Sequence, residues 1–145
     1  MFNLGVFAII FDSDKKILLC HRRDYDLWNL PGGTLEAGET VEQGIIWEVK
    51  EETGLDVVVE KLVGVYAKKE KNEVVFSFLC RVVSGDFILN SEADKIEYFD
   101  FESIPKNFSP KQRERIEDYL NNPNIVHYKL QPGKSSIELL KENKL

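Results

Sequence analysis

The chain has 145 residues, of which 43% are hydrophobic and 30% charged, a composition typical of soluble globular proteins that excludes a disordered or fibrous one. A chain of this length buries about two thirds of its unfolded surface in one core, so we expect a single domain over residues 1–145. The formal net charge of −6 argues against general binding to nucleic-acid backbones, which needs a basic face.

The first predicted element is the apolar run LGVFAIIF at residues 4–11, which is too short for a membrane span. It lacks a basic leader and runs into the turn DSDKK, so we predict a buried strand, no membrane association and a cytoplasmic protein. The strand KILLCHR follows, and the two strands are predicted to form a hairpin. Cys20 and Cys80 lie in apolar runs, which favours small core residues over a disulfide or a metal site.

A central helix is predicted over residues 40–53. Apolar residues recur there at helical spacing, at Val41, Ile45, Ile46 and Val49. Gly54 follows as the expected C-cap. Beyond it, residues 57–66 and 73–83 are rich in β-branched and aromatic residues and predict two strands joined by the polar loop KKEKN.

The last third of the chain contains a further predicted strand, KIEYFDF, and a second helix. Ser109 is the expected N-cap of this helix, and its apolar stripe is predicted at Ile116, Tyr119 and Leu120. Residues 122–145 have a weak pattern and predict an extended surface segment that is frayed from residue 141. The order of elements predicts an α+β or layered α/β domain with a mixed sheet.

Three glutamates, Glu48, Glu51 and Glu52, share one face of the central helix beside its apolar stripe. Like charges at this spacing repel, and anions in the last turn oppose the helix dipole. A divalent cation would turn this repulsion into shared attraction, whereas the alternative is a solvated acidic face. The flexible backbone at Gly32 and Gly33 favours the cation, because its carbonyls can reach a metal and its amides a phosphate.

These residues resemble the signature of the Nudix hydrolases. The chain matches the signature at Gly33, Glu39, Glu48, Val49, Glu51, Glu52, Gly54 and Leu55. The one departure is Trp47, which stands where the signature has arginine. The resemblance implies a Nudix-type α/β/α sandwich with a central mixed sheet.

The resemblance also implies an activity: hydrolysis of the diphosphate of a nucleoside diphosphate linked to another group, by attack of water on phosphorus. The implied cofactor is Mg²⁺, with Mn²⁺ as a second option. Glu48, Glu51 and Glu52 would be metal ligands and catalytic residues, and the Gly33 carbonyl a fourth ligand. Glu92 is our candidate for an additional acidic ligand from a later loop, ahead of Glu97.

Substrate contacts are predicted at the end of the second strand. Arg22 and Arg23 are candidates to neutralise phosphate, with solvated arginines as the alternative. Trp28 is either a core anchor or a platform under a base or sugar. His21 and His127 have no ligand-like spacing and are interpreted as structural.

Residues that mark several Nudix subclasses, including the ADP-ribose, dinucleoside polyphosphate, coenzyme A and NADH hydrolases, are missing from the chain. This leaves a small MutT-like nucleotide pyrophosphohydrolase as the leading description, with a small-molecule nucleotide as its partner. The sequence does not exclude a homodimer.

Trp47 raises the question of how the loop before the helix is held. In the family, the arginine pairs with the glutamate found here as Glu39, and an indole cannot form that bidentate pair. We therefore expect Trp47 to secure the loop by packing, with Glu39 as a loop anchor and Glu36 and Glu42 exposed. Two alternatives to catalysis remain: a non-catalytic nucleotide-binding or sensing domain, and an acidic interaction module.

Overall fold

The computed structural model describes residues 1–145 as eight strands and three α-helices. The strands are β1 Asn3–Ile10, β2 Ile17–Arg22, β3 Trp28–Asn29, β4 Gly32–Thr34, β5 Leu55–Lys68, β6 Glu73–Gly85, β7 Ala93–Phe99 and β8 His127–Leu130. The helices are α1 Val41–Thr53, α2 Pro110–Asn121 and α3 Ser136–Lys141. None of them has the length and apolar character that crossing a membrane requires.

The strands form two sheets. The larger has the order β4-β1-β6-β5-β8 and the smaller the order β3-β2-β7. In the larger sheet β1 runs parallel to β6 and β5 parallel to β8, while its other pairs are antiparallel, so this sheet is mixed. The predicted α+β class and central mixed sheet are confirmed.

Helices α1 and α2 cover opposite sides of the sheets, because alternate residues of a strand point to opposite faces. On one side, Ala8 of β1 and Leu18 of β2 pack with Ile45 of α1. On the other side, the neighbouring residues Ile9 and Leu19 pack with Ile116 of α2. The predicted α/β/α sandwich follows from this alternation. Cys20 and Cys80 are buried free thiols in the core beneath α1, as predicted.

The predicted hairpin between β1 and β2 is wrong. The two strands share a single bridge, between Phe11 and Ile17, and then separate into different sheets. The turn between them is held by the Asp12 carboxylate, which accepts hydrogen bonds from the backbone N–H groups of Asp14 and Lys16. Each strand has its own two neighbours, β4 and β6 for β1 and β3 and β7 for β2, so neither edge is free for the other.

The central helix begins and ends as predicted. Thr40 caps its first turn by accepting the backbone N–H of Gln43, and the Gln43 side chain accepts the Thr40 N–H in return. Gly54 ends the helix with a φ of 85°, a left-handed conformation that favours glycine. Ile46 is 38% exposed and does not belong to the buried face, which is narrower than the apolar pattern predicts.

The strands predicted at residues 57–66 and 73–83 are confirmed as the central parts of β5 and β6, which form a long antiparallel hairpin. The second helix begins after its N-cap Ser109 and ends at Asn121, also as predicted. Its buried face, however, is largely polar. It consists of Gln112, Arg115, Ile116 and Asp118, while Leu120 is 45% exposed.

Residues 122–145 lie mostly at the surface, as predicted, but they form regular elements rather than one extended segment. Strand β8 pairs in parallel with β5 and extends the larger sheet by one strand. Helix α3 then begins with a capping box between Ser135 and Glu138. The chain is not frayed after residue 141, because the backbone N–H groups of Glu142 and Lys144 bond back to carbonyls of α3. The pairing partners of this segment are distant in sequence, so local patterns carry little signal for it.

Candidate active site

A cleft of about 530 Å³ opens between β2, the β3–β4 segment, the C-terminal half of α1 and the loop before β7. This volume lies within the range of small-molecule sites. Six residues singled out in the sequence line it: Arg22, Arg23, Gly32, Gly33, Glu52 and Glu92. The fold therefore brings together residues that lie as much as 70 positions apart in the chain.

The glutamates of α1 lie close to Gly32 and Gly33 of β4, which we call the glycine loop, because the helix packs against this strand. A Cβ atom at Gly33 would lie 2.8 Å from Oε2 of Glu48. The Glu48 carboxylate can therefore lie this close to the backbone only because residue 33 has no side chain. One turn later, Oε2 of Glu52 accepts the backbone N–H of Gly32 at 3.0 Å. The glycines before α1 and the glutamates on it, which together form the motif, are therefore in direct contact.

The carboxylates of Glu48 and Glu52 are electrostatically strained. Burial raises the pKa of Glu52 to about 8, and the charges of Glu92 and Glu48 add to the effect, although the Gly32 N–H and Arg22 oppose it. Burial also raises the pKa of Glu48 to about 7, with further contributions from Glu51 and Glu92. Nearby positive charge does not offset the effects of burial and of repulsion between the carboxylates on these pKa values. A bound cation would relieve both effects, so the site suits a cation.

Glu92 lies at the cleft as predicted, on a loop that Asn90 holds against the end of α1. The Asn90 side chain donates to the backbone carbonyl of Glu52 and accepts the backbone N–H groups of Glu92 and Ala93. Glu97 lies within β7, is exposed and does not line the cleft. The structure thus favours Glu92 over Glu97.

Arg22 and Arg23 both lie at the rim of the cleft. Arg22 makes a bidentate pair with Asp24, with N–O distances of 2.7 and 2.6 Å. That pairing raises the pKa of Arg22 and lowers the pKa of Asp24. Nε of Arg23 donates to the carbonyl of Asn90 at 2.6 Å. Each arginine keeps donor groups beyond these bonds, since a guanidinium carries five N–H groups.

The substrate-binding assignment of Trp28 is wrong, and its alternative, a core anchor, is right. The ring is 7% exposed and packs edge-on against His21 and Phe99, with centroid distances of 5.1 and 5.0 Å. It belongs to the core beneath α2 and does not line the cleft.

His21 is structural, as interpreted, and both of its ring nitrogens bond carboxylates, which its sequence context does not indicate. Its Nδ1 lies 2.7 Å from Asp94 and its Nε2 2.8 Å from Asp26. Burial opposes the charged form, yet the bonds to these carboxylates prevail and raise the pKa of His21. His127 bonds the backbone carbonyl of Asn122, away from the cleft.

The loop before α1 is held by Glu39, whose Oε1 accepts the backbone N–H of Glu36 at 3.0 Å. Trp47 is 52% exposed on α1, which argues against the packing role expected for it. Glu36 and Glu42 are exposed, as expected. The backbone N–H of Glu39 also donates to the carbonyl of Glu36, so Glu39 holds this turn through both its side chain and its backbone.

The donor set suits a hard divalent cation. Carboxylate oxygens are the preferred protein ligands of Mg²⁺, and two of those present are half-buried and repel one another. Neither Glu48 nor Glu51 lines the cleft, and Glu51 is exposed next to Glu48. No three acidic side chains converge on one point, so the carboxylates share a region without forming a closed ligand cluster.

Sequence reasoning missed six lining residues: Phe7, Asp24, Asn29, Leu30, Thr34 and Ser91. Phe7 belongs to a run of hydrophobic residues that gives no sign of a cleft. Asn29 ends the short strand β3 and Leu30 follows it, and no periodicity predicts a strand of two residues. The phrase WNLPGG was the available signal, because it places these residues directly before the glycines.

Comparison with known proteins agrees with this geometry. The family model of the NUDIX domain matches residues 1–119. The chain belongs to the Nudix family. An ADP-ribose pyrophosphatase of Methanocaldococcus jannaschii is 35% identical over 118 residues, which are 77% of this chain and 69% of that relative. A MutT-like protein of Streptomyces ambofaciens is 30% identical over 135 residues, 93% of this chain and 87% of its own length.

The fold of a UDP-X diphosphatase is also similar, with a TM-score of 0.79 and 30% identity over 89% of this chain and 67% of that one. Membership of the Nudix family confirms the resemblance found in the sequence. The relatives are named as pyrophosphatases and diphosphatases, and this Nudix protein is a hydrolase that acts on acid anhydrides.

Proposed function

We propose that this Nudix hydrolase cleaves the diphosphate linkage of a nucleoside diphosphate joined to another group, by attack of water on phosphorus. The observation that supports this function best is the contact between the desolvated carboxylates of Glu48 and Glu52 and the glycine loop, at a cleft rimmed by Arg22 and Arg23. This arrangement offers a place for a cation beside a place for phosphate.

The proposed cofactor is Mg²⁺, or Mn²⁺ in its place, held by Glu48, Glu51 and Glu52 with the Gly33 carbonyl and Glu92. When bound, such a cation neutralises phosphate charge and lowers the pKa of a bound water. One of the glutamates takes the proton of the attacking water as general base. Arg22 and Arg23 neutralise and orient the phosphates from the rim.

The proposed substrate class is a nucleotide pyrophosphate, as expected of a MutT-like enzyme. The relatives named above include an ADP-ribose pyrophosphatase and a UDP-X diphosphatase. Phe7 is the partly exposed apolar side chain that lines the cleft beside the acidic residues, and it can receive the base or sugar. Nucleoside diphosphate sugars and nucleoside triphosphates both present a diphosphate to the acidic wall.

The test is a panel of nucleoside diphosphate derivatives and nucleoside triphosphates, assayed for phosphate, pyrophosphate or nucleotide release with Mg²⁺, with Mn²⁺ and with chelator. Glu48→Gln and Glu52→Gln should each lower turnover by about 10²-fold or more. Glu42→Gln is the matched control, because it removes an exposed charge from the same helix. Turnover that survives chelation or both substitutions would refute the proposed mechanism. Metal-dependent nucleotide binding without turnover would support the sensing domain instead.

A further inference from the structure

The side chain of Arg115 on α2 is a buried cation without a counterion. The residue is 0% exposed, and neither Nη1 nor Nη2 has a hydrogen-bond partner. Only Nε is bonded, to Oε1 of Gln131 at 3.1 Å. Burial lowers the pKa of Arg115 to about 10, so the guanidinium is still charged at neutral pH.

Every carboxylate near Arg115 is engaged elsewhere. Glu73 pairs with Lys68 at 2.7 Å, and Asp118 pairs with Lys129 at 2.7 Å. Glu114 accepts a hydrogen bond from the Gln131 amide at 2.7 Å. Buried charges in proteins are normally paired and hydrogen-bonded, whereas no carboxylate bonds the amino groups of this guanidinium directly.

Aromatic rings cover the guanidinium. Its central carbon lies 5.5 Å from the ring centroid of Phe7 and 5.4 Å from that of Tyr66. Cation–π contacts compensate part of the lost hydration, but they do not bond the N–H groups that lie in the guanidinium plane. The two amino groups of Arg115 are therefore donors that still lack a partner.

A second orphaned donor lies on the neighbouring strand. Ser77 of β6 is the register partner of Phe7, and its Oγ is buried with no hydrogen-bond partner. Native structures leave few buried polar side-chain atoms without partners, and all three such atoms in this chain belong to Arg115 and Ser77. Because Arg115 and Ser77 both lie beside Phe7, we infer that one partner serves all three atoms.

The neighbourhood carries charges of both signs. Burial lowers the pKa of Lys111, and the charges of Lys68 and Arg115 lower it further, while Glu70 opposes them. We propose that Arg115 and Ser77 form a buried binding site for one small inorganic monoanion of the halide class, between the sheet and α2. An anion supplies the missing charge, which a water molecule does not. Its size is limited because the rings enclose the guanidinium.

This anion site is separate from the active site. Arg115 and Ser77 do not line the cleft, and Phe7 lies between the two, since it lines the cleft and contacts the guanidinium. The anion would stabilise the packing of α2 on the sheet and fix Phe7 from behind.

The test compares unfolding temperatures in chloride or bromide with those in gluconate, at matched ionic strength. Gluconate is a much larger anion than a halide, and the guanidinium is covered by two aromatic rings. The wild type should be stabilised progressively by halide and not by gluconate. Arg115→Met should lose this dependence, and Ser77→Ala should weaken it. Arg113→Met is the matched control, because Arg113 lies on the same helix with its guanidinium over Phe101, and it should behave as wild type.

Crystals grown in bromide provide the second measurement, and should show an anomalous peak within hydrogen-bond distance of the Arg115 amino groups. The proposal is overturned if halide and gluconate shift the wild type equally, or if water occupies this position in bromide. Should Arg115→Met fail to fold, Ser77→Ala and the bromide crystals still decide the question.

Discussion

Gly33 lets a carboxylate lie against the backbone of the loop at the active site. Any side chain there would displace Glu48, since a Cβ atom would lie 2.8 Å from Oε2 and 3.0 Å from Cδ of that residue. Gly33→Ala should therefore lower kcat by about 10²-fold, the usual effect of misplacing a catalytic group by about an ångström. Circular dichroism should show an unchanged fold.

The control for this prediction is Ala37→Ser, a small change at an exposed residue of the same loop, which should keep wild-type kcat. If Gly33→Ala were as active as this control, the contact between Glu48 and residue 33 would have no catalytic importance.

Trp47 is the one departure from the Nudix signature, and its exposure changes the prediction made for it. Because 52% of the side chain is exposed, Trp47→Ala should alter stability by no more than about 0.5 kcal/mol and turnover by no more than about twofold. Urea denaturation and steady-state kinetics would measure the two. A large loss of activity would restore the loop-holding role that the structure argues against.

Trp47→Arg addresses a different question about the same residue. The substitution creates the arginine of the signature within reach of the motif loop, where it could pair with Glu39. A sharp rise in kcat would show that the natural chain is an impaired enzyme or a sensor. An unchanged kcat would show that Glu39 holds its turn adequately alone.

His21 should make stability depend on pH. Its two carboxylate partners raise its pKa above the ordinary 6.5, so the folded state binds the proton more tightly than the unfolded state does. This contribution is fully present below pH 6.5 and is lost as pH rises through the folded pKa. Urea unfolding should show a decline in that window, which His21→Asn should flatten. An equal decline in the variant would assign the effect to another group.

At the scale of elements, the end of α1 is fixed by Gly54, which has a φ of 85° and lies against the loop before β7. A Cβ atom there would lie 2.3 Å from the carbonyl oxygen of Asp86. Gly54→Ala should cost about 1 to 2 kcal/mol of left-handed strain and a further 1 to 3 kcal/mol, roughly, from the clash.

Gly38→Ala separates these two costs. Gly38 has a similar φ of 88°, but a Cβ atom there would meet nothing within 4 Å, so only the strain should appear in its free energy of unfolding. Equal losses in the two variants, measured by urea denaturation, would mean that the loop relaxes away from Gly54 at no cost.

The contacts of the C-terminal elements indicate how far along the chain the domain extends. The family model ends at residue 119, yet β8 is hydrogen-bonded to β5, and Gln131 bonds to Arg115 and Glu114 of α2. We therefore propose that residues 1–145 form one domain and that β8 and α3 are integral to it. A homodimer stays a prediction.

At the scale of the whole molecule, the acidic cluster makes the free energy of folding sensitive to metal. Mg²⁺ that binds only the folded protein should stabilise it by about 2.7 kcal/mol at a hundredfold excess over its Kd. Thermal unfolding with Mg²⁺ and with chelator should show this difference in the wild type and in Glu42→Gln. Glu48→Gln should lose most of it. Identical curves for the wild type in both conditions would exclude the proposed cofactor.

The sequence alone determined the family, the extent of α1 to within one residue with its C-cap Gly54, and the long hairpin of β5 and β6. It also predicted that Glu48, Glu52 and the glycines would meet. These features depend on residues near one another in the chain, where helical spacing, capping residues and alternation express local physics directly.

Only the tertiary structure decided the rest. It separated β1 from β2, placed β8 in the sheet, assigned Trp28 to the core and left Trp47 exposed. It also showed that α2 buries the charge of Arg115. Each of these outcomes depends on which distant segments share a sheet edge or helix face, because burial and pairing are properties of neighbours in space that local sequence spacing does not encode.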